Sequence, residues 1–276
     1  MLKVIHIIYR LIHYSSLDVS ICAAMLALPL AHYYCPQSYW VLILAISVQI
    51  IYITDHILDV LQKKTQILSE RHRFIKDHIK LFIIILFILF CINTYLCLLF
   101  LNTSALTAGL GLGIIVFIYF YNNIKLKIIP KEILTALIYA AGICLIPIYY
   151  SISTSKLLEI LLLMVGISIC TFINLISNNL FELNEDEINS ENSFGLKVGI
   201  TFSEQLLKLL YVLSFSGYII CLFFIDGFVK EFSLSLSFIS LVHLMVYKFQ
   251  NLAFLIKYKR GILEWSFAIP GLIYFL

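Results

Sequence analysis

The sequence YITDHILD, residues 52–59, decides the fold prediction, because two aspartates stand at the end of a long apolar run. Residues 41–53 are almost entirely Val, Ile, Leu, Ala and Tyr. A helix that continues through this stretch places Asp55 and Asp59 on one face, one turn apart, at membrane depth. Each such carboxylate costs about 2.5–3.5 kcal/mol to insert, and two acids four residues apart repel each other. The pair therefore predicts a compensating positive charge, which a bound divalent cation would supply.

The composition predicts a multi-pass membrane protein. Of the 276 residues, 62% are hydrophobic, whereas a soluble domain has about 45–50% apolar residues. The seven cysteines are scattered, mostly within apolar runs, and show neither the CxxC nor the CxxH spacing of zinc or redox motifs. The sequence has no nucleic-acid-binding signature. We expect one transmembrane domain over residues 1–276, with its first span retained.

Apolar stretches of roughly 16–24 residues predict an all-α protein with nine transmembrane helices around a central cavity. The predicted spans are 17–34, 38–60, 79–101, 103–122, 131–151, 157–180, 203–225, 231–249 and 261–276. The connections after even-numbered spans are long and polar, and those after odd-numbered spans are short.

The basic residues predict the orientation of these spans. Sixteen Lys and Arg fall in the amino terminus and the even-numbered connections, two fall in the odd-numbered connections, and Lys208 lies inside the seventh span. Cytoplasmic loops carry such an excess of basic residues. We therefore expect a cytoplasmic amino terminus, cytoplasmic acidic loops and an external carboxyl terminus, with the remaining basic residues near lipid headgroups.

A second acidic pair, Glu182 and Asp186, stands at the end of the sixth span with the same spacing as the first pair. Four spans separate the two pairs, and an even number of crossings returns the chain to the same face of the membrane. This placement predicts a four-helix internal repeat whose two acidic pairs face one another across a cavity.

Facing carboxylates predict a magnesium site that binds a diphosphate. Mg²⁺ prefers oxygen ligands and is commonly held by carboxylates together with substrate phosphates. It would stabilise a departing diphosphate, so that an allylic C–O bond ionises. Cations that could pair with the phosphates follow the acidic pairs in sequence. The candidates are Lys64, Arg71, Lys127, Arg73 and Lys125, with Lys63 and Lys197 as weaker ones.

The two histidines near the first acidic pair receive no ligand role. His56 lies between the aspartates in sequence, and we assign it to another helix face and to an interfacial or supporting position. His72, in the basic stretch after the first pair, has no role in the sequence interpretation. Seventeen Tyr and twenty-one Phe offer rings that could stabilise a carbocation or line an apolar tunnel.

The first acidic stretch follows a family pattern that reads N-D-x-x-D-x-x-x-D, then a basic-Thr pair and a later Arg. Asp55 and Asp59 match the last two acids, Lys64-Thr65 the basic-Thr pair, and Arg71 the later Arg. The chain thus resembles the UbiA superfamily of intramembrane prenyltransferases. Residues 51 and 52, where the family has Asn and Asp, are Ile and Tyr.

The second stretch resembles the family's D-x-x-D-x-x-x-D motif in spacing, with Asn179, Glu182 and Asp186 at the three acidic positions. Residues 193–199 are similar to the family's T-L-x-x-x-x-G, and residues 121–132 resemble its cytoplasmic junction after the fourth helix. The resemblance implies Mg²⁺ bound by Asp55, Asp59, Glu182 and Asp186, an isoprenyl diphosphate donor, and a small, lipophilic or aromatic acceptor.

Two other functions remain open at this point. The reduced acidic motifs fit a terpene cyclase of the same fold, in which the prenyl cation closes on its own double bonds without an acceptor. A non-catalytic membrane protein that binds a cation in the acidic cavity is the alternative from a different class.

Overall fold

A computed structural model of the chain describes residues 12–35, 37–62, 70–152, 154–188, 193–224 and 227–275. Within these ranges every regular element is helical. The α-helices are α1 Leu17–Tyr34, α2 Trp40–Gln62, α3 Glu70–Asp77, α4 Ile79–Phe100, α5 Thr103–Tyr121, α6 Lys131–Ser151, α7 Leu157–Ile188, α8 Phe194–Val198, α9 Ile200–Phe224, α10 Phe228–Lys248, α11 Ala253–Trp265 and α12 Ile269–Phe275. A π-helical turn, Asn122–Leu126, follows α5, and a 3₁₀ turn, Ser266–Ala268, joins α11 to α12.

Eight of these helices are long and apolar enough to cross a membrane: α1, α2, α4, α5, α6, α7, α9 and α10. They correspond to the first eight predicted spans, most of them within three residues at each end, although α7 continues to Ile188. The chain is therefore an all-α, multi-pass membrane protein. The ninth predicted span is not one long helix, because the 3₁₀ turn interrupts it, so the count of nine remains a prediction.

The helices differ in how much of their surface the protein itself covers. In α1, α7 and α10 half or more of the residues in the most apolar stretch of the helix are buried, whereas in α4 only 6% are buried. Leu26 and Leu30 of α1 and Ile160 and Ile167 of α7 are completely buried in the largest core cluster. The outer helices α4 and α5 instead expose large apolar side chains, as lipid-facing helices do.

The short helix α3 lies beside the carboxyl end of α2, where the first acidic pair is located. Its Ile75 is buried with Ile53, Ile57 and Val60 of α2 and Phe82 of α4. Burial of this apolar side chain ties an otherwise charged helix to the bundle. The same contact brings the neighbouring Arg71 and His72 close to the aspartates of α2.

The carboxyl-terminal helix α12 packs against α1 through a close backbone approach. A Cβ added to Gly271 would lie 2.5 Å from the Met25 carbonyl oxygen and 2.9 Å from the Met25 Cα. Only glycine fits here without displacing one of the two helices. Elsewhere α6 packs along α7, α1 along α2, and α9 along α10.

Candidate active-site cavity

One cavity of about 240 Å³ opens between α1, α2, α3, α5, α6, α7 and the α11–α12 region. Its lining on α2 changes from Leu44 and Val48 to Asp55 and Asp59 along the helix. Helices α5 and α6 show the same change towards the same end, where α7 contributes Glu182. The cavity therefore has an apolar end and a polar end, which is the division needed by an amphiphilic ligand.

Three of the four predicted metal-binding carboxylates line this cavity: Asp55, Asp59 and Glu182. The Tyr119 hydroxyl donates to Asp55 Oδ1 over 3.2 Å. The fourth carboxylate, Asp186, belongs to the helical backbone of α7, but its side chain lies outside the described part of the structure. Acidic side chains from two helices that are far apart in sequence thus meet at one cavity.

Arg260 of α11 joins two acids at the polar end. Its Nη1 donates to Glu182 Oε1 over 2.7 Å, and its Nε donates to Glu264 Oε1 over 3.1 Å. Glu182, predicted as a metal ligand, is therefore paired with an arginine in this structure. From the sequence, Arg260 is one of the basic residues of the last even-numbered connection, and Glu264 has no predicted role.

Among the predicted diphosphate-binding cations that the structure describes, Arg71 lines the cavity. Burial and the nearby Arg260 lower the pKa of Arg71, while Glu182, Glu264 and Asp59 act in the opposite direction. A guanidinium stays protonated under these conditions. Arg71 therefore adds a positive charge beside the three carboxylates, as Lys131, which also lines the cavity, does.

The other predicted phosphate-binding cations are not among the described residues that line the cavity. Arg73, Lys125 and Lys127 are exposed. Lys64 and Lys63 fall within residues 63–69, outside the described ranges. The Lys197 ammonium donates to the Lys127 carbonyl oxygen and, over 2.7 Å, to that of Ile128, so it closes a loop next to the π-helical turn.

A histidine before α1 extends the charged network and was missed by the sequence interpretation. His13 Nδ1 lies 2.7 Å from Asp18 Oδ2 and 3.3 Å from Glu264 Oε2. Burial lowers the pKa of His13, but the bonds to Asp18 and Glu264 outweigh burial and raise it above 6.5. Charged residues inside apolar spans, such as Asp18 and Glu264, were the available signal.

Asparagines of α7 complete one wall of the polar end. Asn178 Nδ2 donates to Asn174 Oδ1 over 3.2 Å, and Asn178 Oδ1 has no hydrogen-bond partner among the described residues. Asn179, predicted to replace an acid of the second motif, also lines the cavity, but its Oδ1 accepts from the Gly195 amide over 2.7 Å. The wall thus offers amide oxygens, one of which holds α8 in place.

His56 does not lie on a separate face from Asp59, contrary to the sequence interpretation. The two residues are three positions apart, and side chains at this spacing share a helix face. Both line the cavity. His56 is 4% exposed, and its Nε2 lies 2.8 Å from the Ser16 hydroxyl oxygen.

The polar end combines anionic oxygen donors with fixed cations, so it suits a multivalent metal and an anionic group together. Comparison of the chain with protein-family models, with curated proteins and with solved structures gives no match. Membership of the UbiA superfamily accordingly stays a prediction from the two acidic motifs.

Proposed function

We propose that the chain is a UbiA-like, Mg²⁺-dependent transferase that moves an isoprenyl group from an isoprenyl diphosphate to a small, aromatic acceptor. The segment from α11 to α12 would be its ninth span, and the polar end of the cavity would face the cytoplasm. One observation carries the proposal. A single cavity combines carboxylates from two distant helices, two arginines and an apolar end.

Arg71, Lys131 and Arg260 would bind the diphosphate. Arginine forms paired, charge-assisted hydrogen bonds with phosphate oxygens, and both arginines line the cavity. Arg260 is held between Glu182 and Glu264, which fixes its position before the ligand arrives. A phosphate oxygen would replace Glu182 at Arg260 Nη1 and free that carboxylate.

Asp55, Asp59 and Glu182, with the open Asn178 amide oxygen, provide the oxygen donors that Mg²⁺ prefers, so this set fits the ion. The Asp186 side chain is proposed as a further ligand on its spacing from Glu182. When bound, Mg²⁺ supplies Lewis-acid stabilisation of the negative charge on the leaving diphosphate.

The apolar end would hold the isoprenyl chain and exclude water from it. Leu44, Val48, Leu112 and Val116 line this end, and Gly142 leaves room beside Leu44 and Leu112. Tyr52, Tyr119 and Tyr139 also line the cavity. Their rings would stabilise positive charge on the allylic carbon through cation–π attraction.

In the proposed reaction the allylic C–O bond breaks, and its electron pair leaves with the diphosphate. A π-electron pair of the acceptor ring then forms the new C–C bond, and the proton that the ring loses passes to the released diphosphate. The protein positions the two partners and stabilises separated charge, which is how enzymes commonly lower the barrier of such a step.

The test is diphosphate release by purified protein incubated with geranyl, farnesyl or geranylgeranyl diphosphate, Mg²⁺ and a panel of small phenols. We expect Asp55→Asn to lower the release rate by roughly 100-fold or more, because a charge-stabilising group is lost. Asp77→Asn is the matched control, since Asp77 is exposed on α3 and outside the cavity lining. Its rate should equal that of the unchanged protein.

The same assay separates the rival functions. A cyclic hydrocarbon or alcohol formed without any phenol would identify a terpene cyclase. Intact diphosphate in every incubation, together with cation binding that is lost in Asp55→Asn, would refute the transferase and favour the non-catalytic alternative.

A further inference from the structure

Two histidines and one aspartate form a compact group beside the carboxylates. His56 and Asp59 of α2 and His72 of α3 each offer one ligand atom, and these atoms all lie within 4.8 Å of one another. We infer that His56, Asp59 and His72 together bind one transition-metal ion of the Zn²⁺ type.

The helices bring the three side chains together by different routes. His56 and Asp59 share a face of α2, and the buried Ile75 holds α3 against that helix. His72 Nε2 lies 3.5 Å from Asp59 Oδ2. The imidazole rings of His56 and His72 are nearly perpendicular, at 81°, with centroids 5.9 Å apart. Small side-chain rotations would bring three donors within bonding distance of one ion, for which Zn–N and Zn–O distances are about 2.0–2.2 Å.

His56 has the arrangement of a metal-binding histidine. Its Nε2 lies 2.8 Å from the Ser16 hydroxyl oxygen. Its Nδ1 is buried and has no hydrogen-bond partner in the described part of the chain. Metal-bound histidines usually donate the other ring N–H to an oxygen, which fixes the tautomer and the orientation of the ring. Ser16 is therefore the positioning residue, and Nδ1 is the nitrogen that would bind the metal.

The site shares Asp59 with the proposed magnesium ligands, and its two histidines are what distinguish it from them. Imidazole nitrogen suits Zn²⁺, Fe²⁺, Co²⁺ or Ni²⁺, whereas Mg²⁺ selects oxygen. Two histidines and one carboxylate leave a coordination position of Zn²⁺ open for water or a ligand. All three residues line the cavity, so an anion bound at the polar end could reach that position.

The test is metal titration of detergent-purified protein that carries no histidine tag and has been treated with a chelator. Co²⁺ is added as the spectroscopic probe in the presence of excess Mg²⁺. We expect one equivalent to bind with the visible bands of a low-symmetry nitrogen and oxygen site, and Zn²⁺ to displace it. Absence of Co²⁺ binding, or a cobalt–thiolate charge-transfer band that places the ion on a cysteine, would overturn the inference.

Variants then assign the ligands. We expect His56→Asn and His72→Gln each to weaken Co²⁺ and Zn²⁺ binding by roughly tenfold or more, and Ser16→Ala to weaken it by roughly tenfold. His78→Gln is the matched control, because His78 is an exposed histidine just after α3 and outside the group. Helix content and elution volume verify folding. Unchanged affinity in variants that fold normally would refute the assignment, and the Ser16 variant keeps it testable if a ligand variant does not fold.

The metal site does not depend on the proposed prenyl transfer, because binding is measured without any diphosphate. If the protein binds Co²⁺ but releases no diphosphate, the metal site stands and the proposed function is refuted. If the protein releases diphosphate but does not bind Co²⁺, the proposed function stands and the metal site is refuted.

Discussion

Arg260 donates to Glu182 on one side and to Glu264 on the other, and so connects α11 to α7. Replacing it by Gln would leave two acids close together without their shared cation. We expect Arg260→Gln to lower the free energy of unfolding by about 2 kcal/mol, less than the roughly 3–5 kcal/mol of a broken buried pair, because Glu182 is partly exposed. The apparent unfolding temperature in detergent should fall by about 4–8 °C.

The neighbouring Lys259 provides the control for that substitution. Its ammonium lies 4.0 Å from the centroid of the Phe181 ring, and such a contact near solvent is worth about 0.5–1 kcal/mol. Lys259→Gln should therefore have a smaller effect than Arg260→Gln. Equal losses in the two variants would show that the ion pairs of Arg260 add no special stability.

Asp55 and Arg260 show which functional residues can and cannot be recognised from the sequence. Asp55 and Asp59 were identifiable because charges inside an apolar run are costly. Arg260 precedes an apolar run and lies among other basic residues. In the sequence it therefore looks the same as a cation that only sets the orientation of the chain in the membrane. Its pairing with Glu182 links residues 78 positions apart, which no local spacing encodes.

Among the elements, α1 and α12 make the closest approach that a substitution can test. Gly271→Ala would place a methyl group 2.5 Å from the Met25 carbonyl oxygen, which is backbone and cannot rotate away. We expect a loss of about 1–3 kcal/mol, as in other overpacked cores. The apparent unfolding temperature of the detergent-solubilised variant measures this loss.

Gly111 of α5 is the matched control, because a Cβ added there meets nothing within 4 Å. Gly111→Ala should leave stability unchanged or raise it by up to about 1 kcal/mol, since alanine favours the helix. If Gly271→Ala were equally harmless, α12 would not be packed on α1 as the structure has it.

Element boundaries were predictable where an apolar run had clear polar ends. The predicted spans 17–34 and 131–151 agree with α1 and α6 to the residue. The 3₁₀ turn Ser266–Ala268 was not predicted, because its residues are as apolar as the helices around them. Helix α3 was missed for the opposite reason: it is short and mostly charged, and only Ile75, with the partly buried Phe74, packs it against the bundle in the described residues.

Across the whole molecule, His13 ties the segment before α1 to α11 near the other end of the chain. It faces Asp18 and Glu264, with Arg260 beyond them. Because the folded state raises the pKa of His13 above 6.5, its stabilising contribution is complete below that pH. The contribution is lost as the pH rises through the raised pKa.

Unfolding temperatures measured from about pH 6 to about pH 9 would detect this loss of stability. We expect the unfolding temperature to fall over the upper part of that range. In His13→Gln the unfolding temperature should change less with pH. His32→Gln, at an exposed histidine that contacts Tyr274, is the control. A pH profile that is the same with and without His13 would contradict the role of this link.

The sparse protein covering of α4 has a consequence for the surrounding bilayer. A helix of 22 residues is about 33 Å long, slightly more than a hydrocarbon layer of about 30 Å. Since few neighbours hold α4, it can adjust its tilt to the local lipid thickness at little cost. Differences in membrane thickness would thus be taken up mainly by α4 at the edge of the bundle, while the polar end of the cavity between the inner helices keeps its shape.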